Sequence, residues 1–515
     1  MLDLTPPLRV IAARRRRKIA SLDPVAAQEA VLFSLLKRAA GTKFGRDHGF
    51  DSIKSVADFQ ARVPLRNFDA MWGDYWKTAF PRFQGVSWPE HTPFIAMSSG
   101  TTSGKTKYLP ITPSMRRSNA RAAFDVLVHH FAAKPLSHAY GGKSFMLGGS
   151  TALTQEAPGI YSGDLSGIAI KRLPFWARPY IFPDPKLALM ADWQEKVEKL
   201  ARASLDLDIR SLSGTPSWVL VLLDRLRALR DGRGETGTPL WPRLELFVHG
   251  GVNFTPYRAR FQKMFDGLDV DMREVYAASE GFIASADRGF GDGMRMNVDN
   301  GLFYEFVPLE ELGSPNPTRH WLANAGTGIN YALVISSCAG VFGYLIGDTV
   351  RLIERNPPRL LITGRTSYGM SAFGEHLIAE EIETAVAEAS SAIGADVTDY
   401  SMGALFKGDG AENDQHLWVI EFAKTPGDNE IVRFTRVLDE ALVRQNDDYR
   451  VHRSVDFGIA TPAVRAVAPG TFAAWMKSRG KLGGQNKVPR VINDRELWAN
   501  LLTFVGGVKE SHGRA

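Results

Sequence analysis

Between Ser98 and Pro110 the chain reads SSGTTSGKTKYLP. Five hydroxyl side chains, Ser98, Ser99, Thr101, Thr102 and Ser103, surround Gly100 and Gly104, and Lys105 and Lys107 follow. Small residues leave successive backbone amides accessible, and amides, hydroxyls and ammonium groups together hold phosphate oxygens. A Walker loop, however, needs G-x-x-x-x-G-K-[ST] running straight into a helix. Ser99 stands where its first glycine should be, and the following KYLPITPS, with Pro110 and Pro113, reads as extended chain. What remains is a phosphate loop of another kind, or a plain polar surface loop.

Other groups stand where strands should end. In DVDMREVYAASEG (269–281) a strand pattern runs into Tyr276, Ser279 and Glu280, an aromatic face, a hydroxyl and a carboxylate. Ligands of α/β sheets gather at the carboxyl ends of strands. There Tyr276 could stack on a base and Glu280 could hold Mg²⁺ through hard oxygen atoms. Asp348 follows Gly347 inside the apolar GYLIGDTVRL. A carboxylate there can accept from both hydroxyls of a ribose; the alternative is a turn aspartate. Gly250 and Gly251, after His249, let a flat purine approach the backbone, or simply mark a turn.

The elements that must position these groups are legible as pattern. DPVAAQEAVLFSLLKRAAGTKFG puts Val31, Leu32, Leu35 and Leu36 on one helical face, with Gly41 as the expected C-cap. From about 93 to 362, short apolar strands alternate with helices and then follow one another directly: LELFVHGG, GLFYEFVP, YALVIS, VFGYLIGDTVRLI and RLLITG. This predicts a large α/β domain with mixed sheets over residues 1–364. After Gly364-Arg365 a helix over GEHLIAEEIETAVAEA, two strands, a further helix, a strand and a short helix predict a small α+β domain over 365–515.

Composition narrows the class. A chain of 515 residues with 44% hydrophobic and 23% charged residues is that of a soluble protein of two or three domains. It has no apolar run of membrane-spanning length and no secretory leader pattern, so a cytoplasmic setting is expected. The single cysteine, Cys338, rules out an internal disulfide and reads as a small buried residue. The net charge of +6 is nearly matched by Arg14, Arg15, Arg16, Arg17 and Lys18 alone. That cluster reads as a solvated helix face, and no basic stripe interleaved with aromatics suggests nucleic acid.

The order of these features, hydroxyl-rich loop, Gly-Gly, Tyr-x-x-Ser-Glu, Gly-Asp, Gly-Arg at a domain junction and a small last domain, resembles the adenylate-forming superfamily. With LLKRAAGTKFGRDHGF, DFQARVPLRNFDAMW and GGQNKVPRV it is most similar to the GH3 family of acyl acid amido synthetases, over nearly the whole chain. Two departures stand out: the loop reads Gly-Thr-Thr-Ser-Gly, and Phe342 and Leu345 replace residues the plant members favour.

The resemblance implies an N-terminal adenylation domain and a mobile C-terminal domain. It also implies ATP and Mg²⁺, and a reaction in which a carboxylate attacks the α-phosphate to give an acyl-adenylate and pyrophosphate. An amine, expected to be an amino acid, then displaces AMP. By motif, Ser98, Ser99, Gly100, Thr101, Thr102, Ser103 and Lys107 surround the phosphates, with Thr101 among the catalytic groups. Gly250, Gly251, Tyr276 and Ser279 line the nucleotide, Glu280 holds the metal and takes part in catalysis, and Asp348 with Arg365 binds the ribose. Lys487 is the catalytic lysine of the last domain. Walls of the acyl pocket are expected from SFMLGG, SGTPSWVL and the residues after Glu280, namely Leu147, Ser213, Trp218, Phe282 and Ile283, and favour an aromatic or medium-sized apolar acid. Arg117 and Arg121 could meet the acid's carboxylate or be paired on the surface. An acyl-CoA-type ligase and a catalytically silent nucleotide-binding protein stay open as alternatives. No protein partner is inferred.

Overall fold

The computed structural model describes residues 2–99, 106–148, 153–171, 177–188, 190, 193–251, 254, 257–366, 370, 372–373, 375, 377–406, 413–446, 449–450, 453, 459–481 and 487–506. The chain forms two compact units. The larger runs to Ile362 without Gly347–Thr349; the smaller takes Gly347–Thr349 and the chain from Thr363.

A twelve-stranded sheet is the frame of the larger unit. Its parallel half runs, side by side, through Ile181–Phe182, Lys143–Met146, Ile209–Gly214, Leu246–Gly250 and Asp271–Ala278. Parallel pairing requires a crossover, and the helices Pro216–Asp231 and Arg258–Met264 supply it on either side of Leu246–Gly250. At Ala278 the chain reverses, and Gly281–Ser285 and then Met294–Met296 continue the sheet antiparallel. Further out, Leu302–Pro308 lies antiparallel between Asn330–Ser337 and His320–Trp321. A second, four-stranded sheet places Phe94–Ser99 between antiparallel Thr106–Ile111 and parallel Ile160–Gly163. The mixed-sheet α/β domain expected from the pattern is present.

The helix Pro113–Ala133 connects the two sheets. Thr112 starts it, accepting from Met115 N at 3.0 Å while its own hydroxyl donates to Cys338 O at 2.6 Å, and Pro113 fills the first turn where no amide donor is needed. The helix packs against Gly281–Ser285. Its far end is tied to the sheet by His130, whose Nδ1 lies 2.7 Å from Asp271 Oδ2 and whose Nε2 lies 2.8 Å from Ser137 Oγ. Cys338 is buried as expected, and burial pushes its thiol up to about 12.

Two local expectations are corrected. Gly41 is not a C-cap: the helix Pro24–Ala39 is capped by Ala40 in the right-handed region, because Thr42 at once caps the next helix, Lys43–Asp47. The basic cluster is not wholly solvated either. On the helix Thr5–Ala20, Arg15 is clamped at 2.7 Å by both Asp125 and Asp299, while Arg14, Arg16, Arg17 and Lys18 are exposed.

The smaller unit is a three-stranded sheet with helices on both faces. Val397–Leu405 pairs antiparallel with Gln415–Phe422, which pairs parallel with Ala463–Val467. The period of two along the central strand divides the core. Trp418, Ile420 and Phe422 meet the helices Ala379–Ile393 and Asp428–Gln445, and Leu417 and Val419 meet Trp475 and Trp498 of the helices Thr471–Ser478 and Arg495–Phe504. The first of these helices starts later than its apolar spacing predicts. Leu377 pairs with Met370 instead, and Glu381 reaches back to Ile378 N at 3.0 Å to begin the helix at Ala379.

Candidate active site

In the larger unit the strand Phe94–Ser99 leads into the hydroxyl-rich loop. Ser98 and Ser99 stand opposite Lys107 and Thr106 in the ladder. The side chains of Ser98 and Ser99, and Gly100, Thr101, Thr102, Ser103, Gly104 and Lys105 entirely, lie outside the described residues. Lys107 is half-buried on the returning strand, its Nζ 6.0 Å from the centre of the Phe68 ring. The extended chain expected after the loop is present as Thr106–Ile111.

Ser279 and Glu280 form the two-residue reversal of a β-hairpin, since Ala278 and Gly281 are partners in the ladder. Glu280 is nonetheless only 7% exposed, and its backbone carbonyl accepts from Ser337 Oγ at 3.3 Å. Gly281 gives room to the Leu302 side chain, since a Cβ there would lie 2.4 Å from Leu302 Cδ2 and push it aside. Tyr276, on the strand before the turn, is 5% exposed and shares the core with Ile283 and Ala284. Gly250 has a reason of its own: a Cβ would meet Val275 O at 2.2 Å, so the neighbouring strand already demands glycine. Gly251 has φ +83°, the left-handed region that favours glycine. His249 stacks on Phe254 at 3.7 Å, and burial pulls its imidazole down to about 3.

Of the expected pocket walls, Leu147 and Ser213 line one cavity of about 140 Å³ with Met146, Gly148, Ser166, Ile170 and Gly214. They come together because Met146 and Ser213 are register partners in the parallel sheet. Trp218 packs half-buried against the neighbouring core and Phe282 is half-buried, neither lining that cavity. Ile283 is fully buried in the core and does not line that cavity. Arg117 donates to Ser114 at 2.9 Å and Glu90 at 3.3 Å, and Arg121 to Asp299 O at 3.0 Å, so both have structural partners.

In the smaller unit Asp348 and Arg365 meet, and Lys487 lies within reach of their charges. Asp348 lies in the long strand Val341–Arg355 and not in a turn; Gly347 before it has φ +92°. Arg365 Nε donates to Asp348 Oδ1 at 2.7 Å, and Thr366 N to Gly347 O at 2.9 Å. Lys487 feels both. It keeps an exposed surface, yet loss of hydration from the protein packed around it and the positive charges of Arg365 and Arg490 draw its ammonium down to about 8, against Asp348 and Glu383. A cation that is charged at neutral pH, within reach of a guanidinium and a carboxylate, suits a group that meets anionic oxygens.

Among the described residues no cluster of three or more His, Cys, Asp or Glu could cage a metal ion. Lys196, which the sequence reading did not single out, is fully buried next to the cavity. Its signal was there: Lys196 stands four residues before Leu200 and beside Val197 and Ala201, on the apolar face of its helix.

Comparison with known proteins gives the same frame. The GH3 family N-terminal domain matches residues 16–185 and 152–270, the GH3 family central domain 296–365, and the GH3 family C-terminal domain 380–496. Indole-3-acetic acid-amido synthetase GH3.8 of Oryza sativa subsp. indica is 23% identical over 553 residues, which span 91% of this chain and 88% of that protein. The solved structure of GH3.15 acyl acid amido synthetase superposes with a TM-score of 0.77 at 18% identity, covering 96% of this chain and 95% of the other. A 2-Hydroxyisobutyryl-CoA Ligase in complex with an acyl-AMP has the same fold with a TM-score of 0.61 at 16% identity, covering 92% and 90%. With all three parts of the family matched in order along the chain, the chain belongs to the GH3 family.

Proposed function

We propose that this protein is an ATP-dependent acyl acid amido synthetase, joining a carboxylic acid to an amine, an amino acid, through an acyl-adenylate. The observation that carries the reading is the Asp348–Arg365 ion pair with Lys487 within reach of both charges in the same unit. A buried carboxylate oriented by a guanidinium recognises a diol such as a ribose, and a nearby ammonium offsets phosphoryl charge. Family membership adds the reaction class.

Carboxylates are poor electrophiles, so ATP supplies the leaving group. The acid's oxygen attacks the α-phosphorus, pyrophosphate leaves, and the amine then attacks the acyl carbon and expels AMP. In this account Lys487 and the hydroxyl-rich loop Ser98–Ser103, with Lys107, offset charge on the phosphate oxygens, Gly251 faces the adenine, and Tyr276, buried in the core, supports the strand end from behind. Mg²⁺ fits the donor set: one carboxylate, Glu280, at a strand end suits an ion that takes its other ligands from substrate phosphates and water. When bound it would neutralise charge on the leaving pyrophosphate.

The cavity between Met146–Gly148 and Ser213–Gly214 is lined by Met146, Leu147 and Ile170, which supports an aromatic or medium-sized apolar acid. We place the protein in the cytoplasm, where ATP and amino acids are at hand; no single helix among the described residues is long and apolar enough to cross a membrane.

A second reading, an acyl-CoA-type ligase, is supported by the fold shared with the CoA ligase above. Both readings predict acid-dependent pyrophosphate release from ATP. Adding amino acids or coenzyme A to a pooled-acid assay separates them: amide product supports the first, thioester alone supports the second, and no release with a broad acid panel defeats both.

A further inference from the structure

The helix Trp193–Ser204 carries a charge where its neighbours carry core. Leu200, Ala201 and Leu205 of the same stretch are buried among Phe145, Leu212 and Leu223, yet Lys196 beside them is only 1% exposed. Taking an ammonium out of water is strongly unfavourable unless its donors are satisfied. The fold supplies the acceptors: Lys196 Nζ donates to Ala188 O at 2.6 Å and to Gly148 O at 3.3 Å. Burial still pulls the ammonium down to about 8, while the Asp164 carboxylate favours its charged form.

Those carbonyls belong to two separate segments. Ala188 ends the short helix Pro185–Ala188, and Gly148 lies just past the strand Lys143–Met146. Carbonyls beyond the last turn or the last ladder bond have no regular partner, and a lysine with three donors can hold two segments at once. Gly148 is also a wall of the apolar cavity, with Leu147 before it and Ser166 and Ser213 across from it. The fit there is close: a Cβ on Gly148 would lie 2.8 Å from the Ser166 side chain, and one on Gly214 would lie 3.0 Å from Leu147 Cβ. A small shift of the Leu147–Gly148 backbone therefore changes the width of the cavity directly.

We propose that Lys196 is a positioning residue for the carboxylic acid substrate, fixing the Leu147–Gly148 wall of the apolar cavity by holding Gly148 O against Ala188 O. The proposal rests on the reading of that cavity as the acyl pocket. It makes the buried charge a determinant of acid affinity and of which acids fit, without contact with ATP.

The test compares wild type, Lys196→Met, Lys196→Arg and Leu147→Trp by initial rates of pyrophosphate release, varying acid and ATP separately, with thermal unfolding followed in parallel. Lys196→Met is expected to raise the KM for the acid about tenfold or more and to broaden the accepted acids, with the ATP KM within about twofold. Lys196→Arg, which keeps the charge and donors, is expected to restore most of the acid KM. Leu147→Trp is expected to raise the acid KM or exclude the larger acids. If Leu147→Trp does so while Lys196→Met leaves the ratio of acid to ATP KM unchanged, the role of Lys196 is overturned and the pocket assignment stands. If Leu147→Trp moves neither constant, the pocket assignment fails, and this proposal with it. Should Lys196→Met not fold, the same ratio in Lys196→Gln decides: unchanged, with both constants rising together, means a merely structural lysine.

Discussion

Arg365 Nε donates to Asp348 Oδ1 at 2.7 Å across 17 residues of chain, joining the end of one strand to the middle of the strand before it. Asp348 is 8% exposed, so the guanidinium holds a nearly buried carboxylate in one orientation. If that carboxylate binds the ribose of ATP, Asp348→Ala should weaken ATP binding by about 10- to 100-fold, the worth of one or two charge-assisted hydrogen bonds. Calorimetric titration with a non-hydrolysable ATP analogue measures this. An affinity within about twofold of wild type would remove Asp348 from the nucleotide site.

Lys487 sets a pH dependence with a definite sign. Its ammonium, drawn down to about 8 chiefly by loss of hydration and then by Arg365, is charged at neutral pH and loses its proton above. The adenylation rate should therefore be nearly full below about pH 7 and fall as pH rises through about 8. Lys487→Arg should extend the plateau to higher pH. Lys487→Ala should slow pyrophosphate release about 100-fold or more while binding the ATP analogue nearly as wild type. Weakened nucleotide binding with an unchanged rate at saturation would reverse that assignment.

Glu280 contributes the one carboxylate expected on Mg²⁺. Glu280→Gln, which keeps the shape but removes the charge and turns one acceptor oxygen into a donor, should raise the Mg²⁺ concentration for half-maximal activity about tenfold. A magnesium titration of pyrophosphate release reads it. A superimposable curve would mean that this buried glutamate serves the hairpin alone.

Glu274 offers a stability test apart from catalysis. Loss of hydration raises its carboxyl from 4.5 to about 7. The folded state then keeps a proton that the unfolded chain releases, so this group's contribution is intact below about 4.5 and declines as pH rises to about 7. Glu274→Gln should abolish that decline, leaving the variant about 1–3 kcal/mol more stable than wild type at pH 8 and little different at pH 4.5. Urea unfolding at both values checks the sign; an equal difference at the two would contradict it.

Much of this frame is legible in the sequence because it is written in local pattern. Apolar strands such as Leu302–Pro308 and Asn330–Ser337 announce themselves by residue type, and the proline pair around Ile111 correctly excludes a helix after the loop. What escaped depends on distant partners. The stretch before Ala379 has helical spacing, but Glu375 is drawn to His416 at 2.7 Å and Leu377 to Met370, which no window around them reveals. Arg15 looks like four neighbouring cations until Asp125 and Asp299 come to meet it. Gly250 suggested room for a ligand, and the adjacent strand proves to need that room itself. Ile283, placed by sequence at a pocket wall, alternates inward to the core.

The central claim is that the acid itself attacks the α-phosphorus of ATP, and the fate of its oxygen tests this most directly. The enzyme is supplied with ATP, an amino acid and an accepted acid whose carboxylate oxygens are ¹⁸O, and the products are weighed by mass spectrometry. The account predicts AMP carrying one labelled oxygen, matched by amide that retains the other. Unlabelled AMP, or label recovered in inorganic phosphate with ADP as the nucleotide product, would contradict it.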